Sequence, residues 1–191
     1  MGKSRLEAFS DGVIAILITI MVLDLRLPAG TDLASLRSVA PTILMYLLSF
    51  VFLGIYWSNH HHMLHAVDRI SGAMLWANLH LLFWLSLVPY ATRWMGESHF
   101  ASLPTAVYGV LMILASVAYT ILQHGLMTLQ GPDSRLARAI GSDMKGRVSL
   151  ASYVLAIPAA FIRPWIACAV YAGVAMVWLI PDRRIEKTLT A

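Results

Sequence analysis

Arg5-Leu6-Glu7-Ala8-Phe9-Ser10-Asp11-Gly12 runs directly into Val13-Ile14-Ala15-Ile16-Leu17-Ile18-Thr19-Ile20-Met21-Val22-Leu23. A polar, partly charged segment therefore stands at the mouth of an apolar run of membrane-helix character. An ionisable residue at the edge of a bilayer span is costly unless a partner or a water path serves it, which makes Asp11 a candidate functional residue. The rest of the chain decides the function.

The 191 residues are 59% hydrophobic and 13% charged, where a soluble domain carries roughly 25% charged residues. The apolar residues gather into runs near the length that crosses a hydrocarbon core of about 30 Å. The fold class is all-α, a polytopic membrane protein embedded in lipid. The single cysteine, Cys168, excludes an internal disulfide and a CxxC metal site. Net charge +4 does not point to nucleic acid, because the basic residues lie in short segments between apolar runs. There they act as topology signals. A secretory signal peptide is not expected, since the first apolar run is too long for one and lacks a small-residue cleavage site.

Six spans are expected, at roughly 6–27, 39–64, 72–94, 103–129, 147–162 and 164–181, as one six-helix transmembrane domain over 1–191. Pro28-Ala29-Gly30 ends the first, and Pro41 is expected in the first turn of the second, where its missing N–H is tolerated. Gly131-Pro132-Asp133 stops the fourth. Six spans place both termini on one side, together with Lys3, Arg5, Arg69, Arg135, Arg138, Lys145, Arg147, Arg183, Arg184 and Lys187. Only Arg26, Arg37, Arg93 and Arg163 fall opposite. The positive-inside rule then puts both termini in the cytoplasm of a plasma-membrane protein.

On a helix each residue advances about 100°, so Gly12, Ile16, Thr19 and Leu23 fall within a stripe of roughly 60°. This is the spacing of helices that meet along a common axis. Ordinary apolar spans show it too, so periodicity alone leaves both readings open. Ser10 lies roughly 160° from the stripe and Asp11 about 110°. If the stripe faces an axis, these two face neighbouring helices as anchors.

Arg5, Phe9, Ser10 and Asp11, in the pattern Arg-x-x-x-Phe-Ser-Asp-Gly-Val before an Ile/Thr/Leu helix, strongly resemble the transmembrane protein 175 potassium channel family in its prokaryotic single-repeat form. Tyr56-Trp57-Ser58-Asn59-His60-His61 and Phe83-Trp84-Leu85-Ser86-Leu87-Val88-Pro89-Tyr90 agree more weakly. The resemblance implies a homotetramer of six-helix subunits whose first helices surround a central pore, with potassium as the permeant ion and no cofactor. Mapped from the Phe-Ser-Asp motif, the rings of the constriction would be Ile16, Thr19 or Ile20, and Leu23. An apolar neck of this kind gates by dewetting. Thr19 hydroxyls would add a weak potassium preference, and selectivity over sodium would be modest, because the chain has no TVGYG-like segment.

Arg5, Ser10 and Asp11 are expected to tie the first helix to the third span through Asn78 and His80, with Trp76 close by. Unpartnered polar groups cost several kcal/mol in hydrocarbon. A water-facing, merely interfacial His80 is the alternative. His60, His61, His62 and His65 are expected to cap the end of the second span near Asp68 and Arg69. Only His61 and His65 have the i, i+4 spacing of paired metal ligands, and no Cys or carboxylate cluster completes a site. The six tryptophans lie mostly toward span ends, as interfacial aromatics do. No Gly-x-Ser-x-Gly elbow or Gly-rich phosphate loop appears. Two rival functions are a metal-dependent membrane enzyme using the His60–His65 cluster and a small proton-coupled transporter in which Asp11 titrates. The chain lacks inverted-repeat symmetry, which weighs against the transporter.

Overall fold

The computed structural model describes residues 2–140 and 143–179. They form α1 (Lys3–Leu23), α2 (Leu33–His65), α3 (Gly72–Ser86), α4 (Val88–Glu97), α5 (Ser102–Gln130), α6 (Arg135–Ile140), α7 (Met144–Ile162) and α8 (Pro164–Leu179). Five stretches are long and apolar enough to cross a membrane: α1, α2, α3 with α4 taken together, α5 and α7. The 16-residue α8 is apolar but shorter. The short α6 was not expected.

Several boundaries differ from the expected ones, for local reasons. α1 starts at Lys3 and stops at Leu23, short of the expected residue 27, where Asp24 closes it with N–H bonds to the Met21 and Val22 carbonyls. α2 begins at Leu33, because Asp32 caps it by accepting a 2.9 Å hydrogen bond from the Ser35 N–H. Pro41 therefore lies inside the helix, not in its first turn. Its ring removes one i→i−4 bond, a loss that a long membrane helix absorbs. The third apolar stretch breaks at Leu87, since Pro89 is in the first turn of α4. Gly131, at φ +95°, ends α5 in a conformation that favours glycine. Arg163 is extended, and Pro164 opens α8 directly after it. The last two residues of the expected sixth span, and Arg183, Arg184 and Lys187, lie outside the described residues.

α5 is the hub. It packs against α3, α4, α7 and α8, and half of its most apolar window is buried. Polar side chains knit this interior. Tyr108 donates to Ser49 Oγ (3.0 Å), Ser49 to Thr92 Oγ1 (2.6 Å), and Thr92 to the Val88 carbonyl (2.7 Å). Each hydroxyl in that chain has a partner, as burial in an apolar bundle requires. α2 and α4 come very close at Gly96, where a Cβ would stand 2.8 Å from Thr42 Cα.

α1 is held at both ends. At one end Lys3 Nζ donates to the His65 carbonyl (3.3 Å), and nearby Gln130 bridges to Asp68 and Arg69. At the other, Arg93 contacts Asp24 (3.1 Å) and Glu97 (3.0 Å), while Arg26 reaches Glu97 (2.9 Å). α1 and the α3–α4 stretch thus share one end, just past Leu23, and α1 and α2 share the other.

Candidate functional site

α1 has two opposed faces. Leu6, Ser10, Ile14, Leu17 and Met21 are buried against α2, α3 and α4. On the far side, about 150° round by the 100° step, Gly12, Ile16, Thr19 and Leu23 are exposed. Ile16 is 61% and Leu23 80% exposed, and nothing lies within 4 Å of a Cβ built on Gly12. Ile20 and Phe9 flank this stripe and are about half exposed. From Gly12 to Leu23 the free face is apolar except for Thr19, whose hydroxyl lies 2.9 Å from the Ala15 carbonyl and 3.1 Å from that of Ile16. Its proton is thus committed to its own helix, and an oxygen lone pair is left to face outward.

The buried face is anchored by a short polar chain. Asn78 on α3 donates from Nδ2 to Ser10 Oγ at 2.9 Å, and its Oδ1 lies 2.7 Å from His60 Nε2 on α2. Because the amide nitrogen faces Ser10, the carbonyl faces His60, which must donate from Nε2. His60 Nδ1 is then a bare acceptor, and it is the one buried side-chain atom among the described residues with no hydrogen-bond partner. Ser10, Asn78 and His60 are all at most 1% exposed. Three helices therefore meet at one amide.

Asp11 sits beside this chain but outside it. Its carboxylate accepts a 3.0 Å hydrogen bond from Trp57 Nε1 on α2, not from the third span. Trp57 stacks on His61, and His61 on His65, in an exposed column along α2. His80 and Trp76 are not brought to the network. His80 is exposed and accepts from Trp84 Nε1 one turn along its own helix (2.8 Å), and Trp76 is 75% exposed. Both positions lie on the outer surface of α3, whereas Asn78 points inward. Arg5 is exposed, away from the buried chain. His60 is the member the histidine-run reading missed. Helical phase separates it from His61 and His65, for it falls in register with buried Ser49, Phe52, Leu53 and Leu64.

Apolar spans packed around polar anchors define a multi-pass helical membrane protein. A family model for the endosomal/lysosomal potassium channel TMEM175 matches residues 5–89, the stretch that holds Ser10, Asp11, Trp57, His60 and Asn78. A Chryseobacterium protein described as a potassium channel is 53% identical over 189 residues, covering 99% of this chain and 98% of its own. The human endosomal/lysosomal proton channel TMEM175 is 31% identical over 153 residues, 68% of this chain and 30% of that protein. The crystal structure of a lysosomal potassium-selective channel TMEM175 homolog from Chamaesiphon minutus superposes with a TM-score of 0.84 at 28% identity, over 94% of this chain and 97% of that one. The molecule is an ion channel and not an enzyme. The chain belongs to the TMEM175 family.

Proposed function

We propose that this chain forms a potassium-permeable channel in which four copies surround a pore lined by the free face of α1. The observation that carries the reading is the division of α1. Its polar anchors, Ser10 and Asp11, are engaged by α3 and α2 of the same subunit, and the opposite face is left apolar and uncovered. Four such faces would converge as rings of Ile16, Thr19 with Ile20 beside it, and Leu23. Ile16 and Leu23 stand about 10 Å apart along the axis at 1.5 Å per residue. Between them an apolar neck excludes water and ions until it widens.

Thr19 lies between the two apolar rings. With its proton held by the helix backbone, its oxygen can face a partly dehydrated cation as an acceptor. A ring of such oxygens replaces only part of a hydration shell, so selectivity for potassium over sodium is modest. Asp11 acts as an anchor, since it receives the Trp57 indole and lies off the pore stripe. The relatives described as potassium channels support the choice of ion. Both termini face the cytoplasm of a plasma membrane, which accords with the basic residues of the sequence.

The test is flux in liposomes under separate potassium, sodium and proton gradients, with cross-linking for subunit number. Ile16→Asn should raise basal potassium flux, and Thr19→Ala should lower the potassium-to-sodium ratio. Wild-type behaviour in both, or a dimeric or monomeric assembly, contradicts the proposal.

A further inference from the structure

A cavity of about 230 Å³ opens between α2, α5, α7 and α8, with Ile140 of α6 at its edge. Its inner wall is aromatic and apolar, formed by Phe52, Tyr56, Tyr119, Tyr153 and Leu150. Most of that wall is satisfied: Tyr56 meets Ser116 Oγ (3.2 Å), and Tyr119 donates to the Asn59 carbonyl (3.3 Å). Two groups are not. The Gln123 amide and the Tyr153 hydroxyl have no hydrogen-bond partner among the described residues; both residues line the cavity and are otherwise only 5% and 3% exposed, so their polar atoms open onto it. An amide that opens only onto an aromatic, apolar-walled cavity finds its partner in what fills that cavity.

The mouth lies where α5 ends and α7 begins, the end of the bundle that also holds His65 and Gln130. Its charge is asymmetric. Asp143 is committed to capping α7, accepting from the Gly146 N–H at 3.2 Å. Arg147, one turn along, is exposed and forms no ion pair among the described residues. The positive partial charge at the N-terminus of α7 is answered by the Asp143 carboxylate, which leaves the Arg147 guanidinium to set the preference of the mouth. The mouth favours an anion, and the interior favours a ring or short chain carrying a hydrogen-bonding group.

We propose that this cavity binds a small amphipathic carboxylate. The anionic group sits on Arg147, the apolar body lies among the aromatic side chains, and polar atoms of the ligand meet Gln123 and Tyr153. The volume suits the class: a cavity of about 150 Å³ accommodates benzene, so this one takes a two-ring aromatic acid or a medium-length fatty acid. The site is placed to be felt at the anchor of α1. Asn59, whose carbonyl takes the Tyr119 hydroxyl at the cavity wall, immediately precedes His60, which holds Asn78.

The direct test is equilibrium binding of 2-naphthoate to the purified channel in nanodiscs, with neutral 2-naphthamide as its isostere. The wild type should bind naphthoate saturably, and more tightly than naphthamide. Arg147→Gln should weaken naphthoate by about tenfold, the scale of one charge-assisted contact at an exposed mouth, and leave naphthamide unchanged. Gln123→Leu should weaken both. Non-saturable partitioning equal to that of empty nanodiscs overturns the site. Saturable binding indifferent to both substitutions overturns the placement. Thermal denaturation of each variant shows that it is folded, which keeps a negative result interpretable.

Discussion

Asn78→Ala should loosen the first helix without altering ion preference. The amide is fully buried and makes two side-chain hydrogen bonds, 2.9 Å to Ser10 and 2.7 Å to His60. Truncation leaves the His60 Nε2–H without an acceptor, on a ring whose Nδ1 already lacks a partner. Ser10 fares better, since a serine hydroxyl can turn back to a carbonyl one turn earlier in its own helix. Interhelical hydrogen bonds in membrane proteins average about 0.6 kcal/mol each, which sets a floor near 1 kcal/mol for the pair. An unsatisfied buried donor costs about 1–3 kcal/mol, so the expected loss is about 1–3 kcal/mol in total. Reversible unfolding in mixed micelles measures it, and a Ser10→Ala/Asn78→Ala double-mutant cycle isolates the contact. Its coupling should be about 0.5–1 kcal/mol. Strictly additive substitutions, or a loss below the error of the measurement, refute the anchor. In flux assays the same variant should change potassium conductance while leaving the potassium-to-sodium ratio at its wild-type value.

Gly96→Ala should destabilise the protein by about 1–3 kcal/mol, the usual cost of overpacking, because the new methyl meets Thr42 Cα at 2.8 Å and backbone cannot move aside; thermal unfolding reads it. Arg93→Gln removes the side chain that touches both Asp24 and Glu97. It should lower the melting temperature slightly at low ionic strength and have no effect at high salt, because exposed pairs are screened. Asp32 has its carboxyl held below its ordinary value of 3.8 by hydrogen bonds from Ser35. A depressed folded-state value contributes stability above the unfolded one and loses it as pH falls through the folded one. The melting-temperature gap between wild type and Asp32→Asn should therefore be constant near neutrality and close only below 3.8.

The sequence carries the apolar spans and the two opposed faces of α1, and the reasons are physical. Lipid demands long apolar helices with few charges, and that demand is written in composition and run length. Ser10 and Asp11 draw attention because polar groups at a span are rare, and phase separates them from Ile16, Thr19 and Leu23 without any coordinates. Boundaries were less legible. Asp32 starts α2 ahead of Pro41, a proline that soluble-helix rules place in the first turn. Partner choice was the hardest part to read. Trp57, Asn78, His80 and Trp76 are all plausible partners for a carboxylate, and only the three-dimensional approach of α2 and α3 assigns Trp57 to Asp11 and Asn78 to Ser10. His60 was hidden by its neighbours. A run of three histidines suggests a helix end, whereas the buried register of α2 claims only the first of them. The cavity behind α5 left no local pattern, since its lining comes from five helices, α2 and α5 to α8, that only the fold brings together.

The central claim is that the ion path runs along the uncovered face of α1, and scanning cysteine accessibility during flux tests it most directly. With Cys168→Ala as background, cysteine is placed singly at Ile14, Ile16, Leu17, Thr19, Met21 and Leu23, and a charged thiol reagent is applied while potassium flux is followed. Block at 16, 19 and 23, with no response at 14, 17 and 21, is the result expected. Block at the buried positions, or no block at any of the six, would contradict a pore lined by this face.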